Sequence, residues 1–152
     1  MAQPPFFFKE EVLPFSAQHL FDVVADVAQY PAFLPWCFGA RVTPLTRSTC
    51  HADLVVGLGP LRETYTSLVT LTPHTRVTAT QVNGPFRHLE TVWGFEPLGD
   101  EETRVTFCLY LELKSGLTQR LLGAMMGEAS AKMMDAFRAR AMALKSTRSK
   151  ES

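Results

Sequence analysis

The 152-residue sequence predicts an α+β fold: a curved antiparallel sheet of about six to seven strands gripping one long C-terminal helix, with two short helices near the N-terminus. Three observations predict it. Apolar and polar residues alternate with period two between about Ala40 and Leu113, the mark of an antiparallel sheet wet on one face. An apolar stripe at helical spacing then runs from about Ser115 to Leu144. Nothing else in the chain is large enough to cover the sheet. At 1.5 Å per residue a helix of about 30 residues spans about 45 Å, so its apolar face has to lie along the concave side. This helix-grip arrangement leaves a cavity between sheet and helix, where function is expected.

Each element follows from its residues. Phe6 to Leu13 is rich in Phe and Val and stops before Pro14, which reads as a first strand. Ser16 is a good N-cap for a helix over Ala17 to Val27, with Leu20, Val23, Val24 and Val27 on one face. Pro31 and Pro35, four apart, leave room for only a short helical turn. In the strands, Cys50, Ala52, Leu54, Val56 and Leu58 form one face. So do Leu89, Thr91, Trp93 and Phe95, and then Val105, Phe107, Leu109, Leu111 and Leu113. Gly59-Pro60, Thr72-Pro73-His74, Asn83-Gly84-Pro85 and Gly99-Asp100 mark turns. Leu122, Met126, Ala129, Met133, Phe137 and Leu144 make the stripe of the last helix, locally weakened by Gly123 and Gly127. Residues 1–145 are expected to form a single ligand-binding domain, and 146–152 a polar, frayed tail.

Composition excludes several classes. With 46% hydrophobic and 20% charged residues the chain is not a disordered one. Lys plus Arg and Asp plus Glu number 15 each, which argues against DNA as a partner. Cys37, Cys50 and Cys108 give neither a disulfide framework nor a zinc pair, so a reduced, cytoplasmic domain is expected. The N-terminal MAQPPFFFKEEV lacks the features of a signal peptide, and no apolar run is long enough to span a bilayer. Catalytic signatures are missing too. His51, His74 and His88 fall on wet strand faces or turns and His19 on the first helix, in no metal-ligand spacing, and Cys37 has no base partner in sequence. No catalytic residue and no metal site are expected.

Four blocks in order carry a resemblance: YPAFLPWC (Tyr30 to Cys37), GLGPLRETYTSLVTL (Gly57 to Leu71), NGPFRHLETVWGFEP (Asn83 to Pro97), and TRVTFCLYLELKSGL followed by KMMDAFRARA. Together they resemble the bacterial and mitochondrial coenzyme Q-binding proteins of the START-like, polyketide cyclase-like superfamily. The resemblance implies a ubiquinone or related polyisoprenoid held in the cavity by a carrier or chaperone that supports respiration or ubiquinone biosynthesis without catalysing a step. It implies no cofactor beyond that bound lipid, and a place in the cytoplasm, peripheral on the inner membrane, or on the mitochondrial inner membrane in a eukaryote. The same motifs resemble a sister family described as ribosome association toxins, which implies the ribosome as the alternative partner.

Candidate ligand contacts follow. Phe33, Leu34, Trp36 and Phe38 are expected at the cavity mouth, although Trp36 also reads as a core aromatic anchoring the short helix. Leu54 to Leu61 carries no charge and is either a doubly buried strand or a loop that dips into a membrane, with Leu58 and Leu61 at its tip. Tyr65 is the polar candidate for a quinone carbonyl, beside Arg62 and Glu63, which read more simply as a surface pair. Trp93, Phe95, Phe107 and Leu109 supply the facing wall, and Leu122, Met126 and Met133 the helix side. Five of the six methionines (Met125, Met126, Met133, Met134 and Met142) sit on the last helix, where their pliability suits an isoprenoid tail or ordinary gap-filling. Lys132, Arg138, Arg140, Lys145, Arg148 and Lys150 make its end basic, either as a solvated face or as a contact for anionic lipid or ribosomal RNA.

Overall fold

The computed structural model describes residues 5–151; the side chains of Leu58 and of residues 146–151 lie outside the described residues. Seven strands form one antiparallel sheet: β1 (Phe7–Leu13), β2 (Cys37–Pro44), β3 (Thr49–Leu58), β4 (Leu61–Thr72), β5 (Arg76–Asn83), β6 (His88–Gly99) and β7 (Glu102–Glu112). The order β1-β7-β6-β5-β4-β3-β2 is a six-strand meander closed by the N-terminal strand returning beside β7. Leu58 pairs with Leu61, so Gly59-Pro60 is a two-residue hairpin loop, and Gly59 takes the left-handed φ of 57° that such a turn requires. The sequence-based strands and their inward faces appear as read.

The helices differ in their ends. Ser16 caps α1 (Ala17–Ala25), its side chain accepting from the His19 N–H at 3.1 Å. The predicted continuation to Val27 breaks at Asp26, whose ψ of 66° leaves helical space, and Val27–Gln29 forms a 3₁₀ turn leading into α2 (Tyr30–Phe33). α3 (Leu117–Glu151) runs through the segment read as a frayed tail, because no Gly or Pro after Leu144 stops it.

What fixes α3 over the sheet is a set of contacts near its two ends. The His19 Nε2–H donates to the Ala141 carbonyl at 2.8 Å, joining α1 to α3. Arg138 pairs with Glu11 of β1, and Lys145 with Glu101 at 2.9 Å. At the other end Gln119 donates to the Pro85 carbonyl at 3.0 Å and accepts from the Lys114 N–H at 2.8 Å. Gly123 lets the helix come down on the end of the sheet, since a Cβ there would stand 2.7 Å from Leu113 Cδ1. Beneath, Phe15, Val24, Val69, Val105, Phe107, Leu109 and Leu122 are wholly buried, and Thr103 donates to the Phe15 carbonyl at 2.8 Å.

Leu122 is completely buried in this end of the helix–sheet core. Leu122→Ala is therefore expected to lower unfolding free energy by about 2–5 kcal/mol in chemical denaturation.

Candidate ligand-binding cavity

Between α3 and the concave face lies a cavity that opens to solvent at one end. It exists because the residues facing it at mid-sheet are small. Ala52, Ser67, Ala79 and Thr91 occupy inward positions on four adjacent strands, with Ala52 opposite Ser67 and Ala79 opposite Thr91. Ala129 and Ser130 face them from α3. Close-packed interiors fill such positions with Leu, Ile or Phe; six small residues in register leave the space open.

The cavity has two unlike ends. Val77, Trp93 and Phe107 pair across β5, β6 and β7, and the Trp93 ring lies 4.8 Å from Phe107 and 4.9 Å from Phe137 of α3. This aromatic cluster makes the blind end. At the opposite end Trp36, Met125 and Ala129 line both the cavity and an outer groove bordered by Pro35, Phe38, Gly57, Gly59, Glu128 and Lys132. Trp36 therefore stands in the passage to solvent. Gly57 is required there, because a Cβ would collide with the Leu61 carbonyl oxygen across the hairpin.

Among the described residues no Asp, Glu, Lys, Arg or His lines the cavity. The Tyr30 hydroxyl donates to the Val24 carbonyl at 2.5 Å and is spent. The hydroxyls of Tyr65, Ser67 and Ser130 make no hydrogen bond among the described residues, yet none is sealed from the cavity. Burial, reinforced by the neighbouring Tyr65, pushes the Tyr30 hydroxyl far above its ordinary pKa. Burial does the same to Tyr65, and raises the Cys37 thiol against a smaller lowering by a hydrogen bond with the Gly39 backbone. Among the described residues no cluster of three His, Cys, Asp or Glu could hold a metal, and no helix is long and apolar enough to cross a membrane.

Of the residues expected at the site, Leu34, Trp36, Tyr65, Trp93, Phe107, Leu109, Met126 and Met133 line the cavity. Others do not. Phe38 is 49% exposed: at the register shift between Cys37 and Gly39 it borders the outer groove at the mouth and does not enter the cavity, and the Arg62 guanidinium lies 3.6 Å from its ring. Phe33 stands behind the wall, edge-on to Tyr30 and Phe137. Phe95 points inward but lies past Trp93, where Phe21 of α1 already covers the sheet. Leu122 belongs to the closed core, and Leu61 packs partly buried against that core without reaching the cavity. The Leu58 side chain lies outside the described residues. Arg62 does not pair with Glu63; it donates to the carbonyls of Gly59 and Leu61 and braces the hairpin. Met125 also lines the cavity, whereas Met134 is buried elsewhere and Met142 is exposed.

Three of the basic residues of α3 have acidic partners, some on the helix itself and some across the fold. Lys132 pairs with Glu128, Arg138 with Glu11 and Asp135, and Lys145 with Glu101, while Arg140 lies over the Phe33 ring. The side chains of Arg148 and Lys150 lie outside the described residues. Sequence reasoning missed the small residues that create the site. Their one signal was Ala, Ser or Thr at inward parity between bulky neighbours.

Comparison with known proteins gives a consistent family. Residues 13–138 match the family model described as polyketide cyclase/dehydrase and lipid transport. The chain is 36% identical over 136 residues to the ribosome association toxin RatA of Pseudomonas aeruginosa, covering 90% of this chain and 94% of that protein. It is 37% identical over 133 residues to the mitochondrial coenzyme Q-binding protein COQ10 homolog B of Xenopus laevis, covering 85% of this chain and 54% of that longer protein. The solved structure of the Zhui aromatase/cyclase from Streptomyces sp. R1128 superposes with a TM-score of 0.80 over 90% of this chain and 92% of that one, at 17% identity, which shows a shared fold.

With its tyrosines and Cys37 raised above their ordinary values by burial, the described cavity lining stays essentially uncharged from about pH 6 to 8. Uptake of a neutral apolar fluorophore is expected to stay flat over that range. A titration in the binding curve would mean that a lining group ionises.

Proposed function

The chain belongs to the polyketide cyclase/dehydrase and lipid-transport family, and on that premise we propose that it binds a polyisoprenoid quinone of the ubiquinone type and carries it without transforming it. The observation that carries the reading is the uncharged cavity closed by an aromatic blind end and opening past Trp36. Burying the tail supplies most of the affinity, at roughly 0.8 kcal/mol per CH₂, and a head-group hydrogen bond adds only about 0.5–1.5 kcal/mol. The relative named as a coenzyme Q-binding protein supports the ligand class. A carrier role, rather than catalysis, is supported by a lining whose titratable groups are two tyrosines and a thiol, all held protonated.

Loading from a membrane surface is part of the proposal. The mouth is rimmed by the exposed Phe38 ring, Pro35, the hairpin glycines Gly57 and Gly59, and the mutually paired Lys132 and Glu128, an apolar edge with little net charge that suits an interface.

A second reading has its own support: the match to RatA spans 94% of a protein named for ribosome association. That role would use the outer surface and leave the cavity incidental. The paired state of Lys132, Arg138 and Lys145 weakens the case for an RNA contact at that end of α3.

Native mass spectrometry of the purified chain, with organic extraction of bound lipid, tests the proposal. Co-purified quinone or another isoprenoid is expected, and in a series of added quinones affinity should rise with tail length until the cavity is full. Equal affinity at every length contradicts a tail-driven carrier. An empty chain that refuses quinone yet shifts ribosomal subunit profiles favours the second reading.

A further inference from the structure

We propose that the cavity takes its ligand in one orientation, tail inward, with a neutral oxygen-bearing head group held just inside the mouth by Tyr65 and Ser67 of β4 and Ser130 of α3. This rests on the quinone-carrier reading and adds which residues recognise the head and which way the molecule lies.

Sheet register gives the cavity an axis. Inward side chains along β4 run Tyr65, Ser67, Val69, Leu71; Tyr65 pairs with Leu54, while Leu71 pairs with Val77, which pairs with Trp93. Six residues of strand separate the two levels, roughly 20 Å. The opening is at the Tyr65 end, since Gly57 of the outer groove pairs with Arg62, three residues before Tyr65. The helix agrees: Met125 and Ala129 border the groove, and Phe137 closes the far end. Ser130 lies between, seven residues or roughly 10 Å of helix before Phe137.

Polarity is graded along this axis. Ser67 and Ser130 are each only 3% exposed, yet their hydroxyls, like that of Tyr65, have no partner among the described residues and face the cavity. These hydroxyls are open to the cavity and unused by the protein, so a ligand oxygen at this level finds hydrogen-bonding partners there. Beyond Val69 the wall is aliphatic and aromatic, which suits hydrocarbon. Hydroxyls both donate and accept, so this set serves the carbonyls of an oxidised ring and the hydroxyls of a reduced one. A phosphate or carboxylate head would meet no cation in the lining and is selected against.

The chain contains two tryptophans, and they stand at opposite ends of the cavity. Decyl-ubiquinone, whose ring quenches indole emission on contact, is titrated into Trp93→Phe, which reports from Trp36, and into Trp36→Phe, which reports from Trp93. Tail-inward seating predicts the larger loss of emission from Trp36. Should Trp93→Phe not fold, 5-fluorotryptophan in the unsubstituted chain gives the same comparison by ¹⁹F NMR, with Trp36→Phe used only for assignment. Tyr65→Phe and Ser67→Ala are each expected to weaken binding between about two- and tenfold, for the oxidised and reduced forms alike, and farnesyl phosphate should not displace the quinone. Stronger or equal quenching at Trp93, or unchanged affinity in both hydroxyl variants, overturns the orientation while the carrier reading stands. Absence of saturable quenching in the unsubstituted chain overturns both.

Discussion

Small side chains at mid-sheet leave unfilled the space between β3 to β6 and an α3 that is anchored near its ends, and the rest of the molecule's behaviour depends on that gap. Ala52, Ser67, Ala79 and Thr91 form the floor, Ala129 and Ser130 the roof. A helix and a sheet ordinarily interdigitate to crystal-like density, and each atom lining an unfilled space forgoes part of its dispersion contact. The fold tolerates this because α3 is fixed elsewhere: by Gln119 and Gly123 near one end, and by His19, Glu11 and Glu101 near the other. Between those anchor points the helix bridges the cavity.

That arrangement ties the stability of the fold to its occupant. A protein holding open an apolar space gains when a matching hydrocarbon fills it, because the ligand leaves water and the walls recover their contacts. The gradient from hydroxyls near Trp36 to rings around Trp93 then gives a long amphipathic molecule a preferred direction. With no formal charge among the described lining residues, recognition by the cavity would rest on shape and a few neutral hydrogen bonds, which favours a neutral amphipathic molecule over a charged one.

Much of this was legible in the sequence. Period-two patterning placed the strands and their inward faces, because the large inward residues (Leu54, Trp93, Phe107, Leu109) carry a strong hydropathy signal. The cap at Ser16 and the proline-bounded turn after it were equally readable, since both rest on local backbone chemistry. The helix-grip arrangement predicted a cavity, but the residues that open it were not legible, because they are small, and Ala79 or Ser130 looks unremarkable in a hydropathy profile. Large size also misled: Phe95 and Leu122 are as apolar as true wall residues, and their exclusion depends on where α1 lies and on where α3 touches down, while Phe38 reaches only the outer rim beside a register shift in β2. The charge partners of α3 were invisible for a related reason, as Glu11 and Glu101 come from elements far away in sequence.

The most direct test of the central claim is to fill the gap and follow both stability and binding in one variant. Ala79→Leu adds bulk to the cavity floor without touching the mouth, the hydroxyls or the anchors of α3. The account predicts a folded protein with an equal or higher Tm that no longer takes up quinone. Retained uptake with the affinity of the unsubstituted chain would contradict it, since the ligand would then have to sit elsewhere.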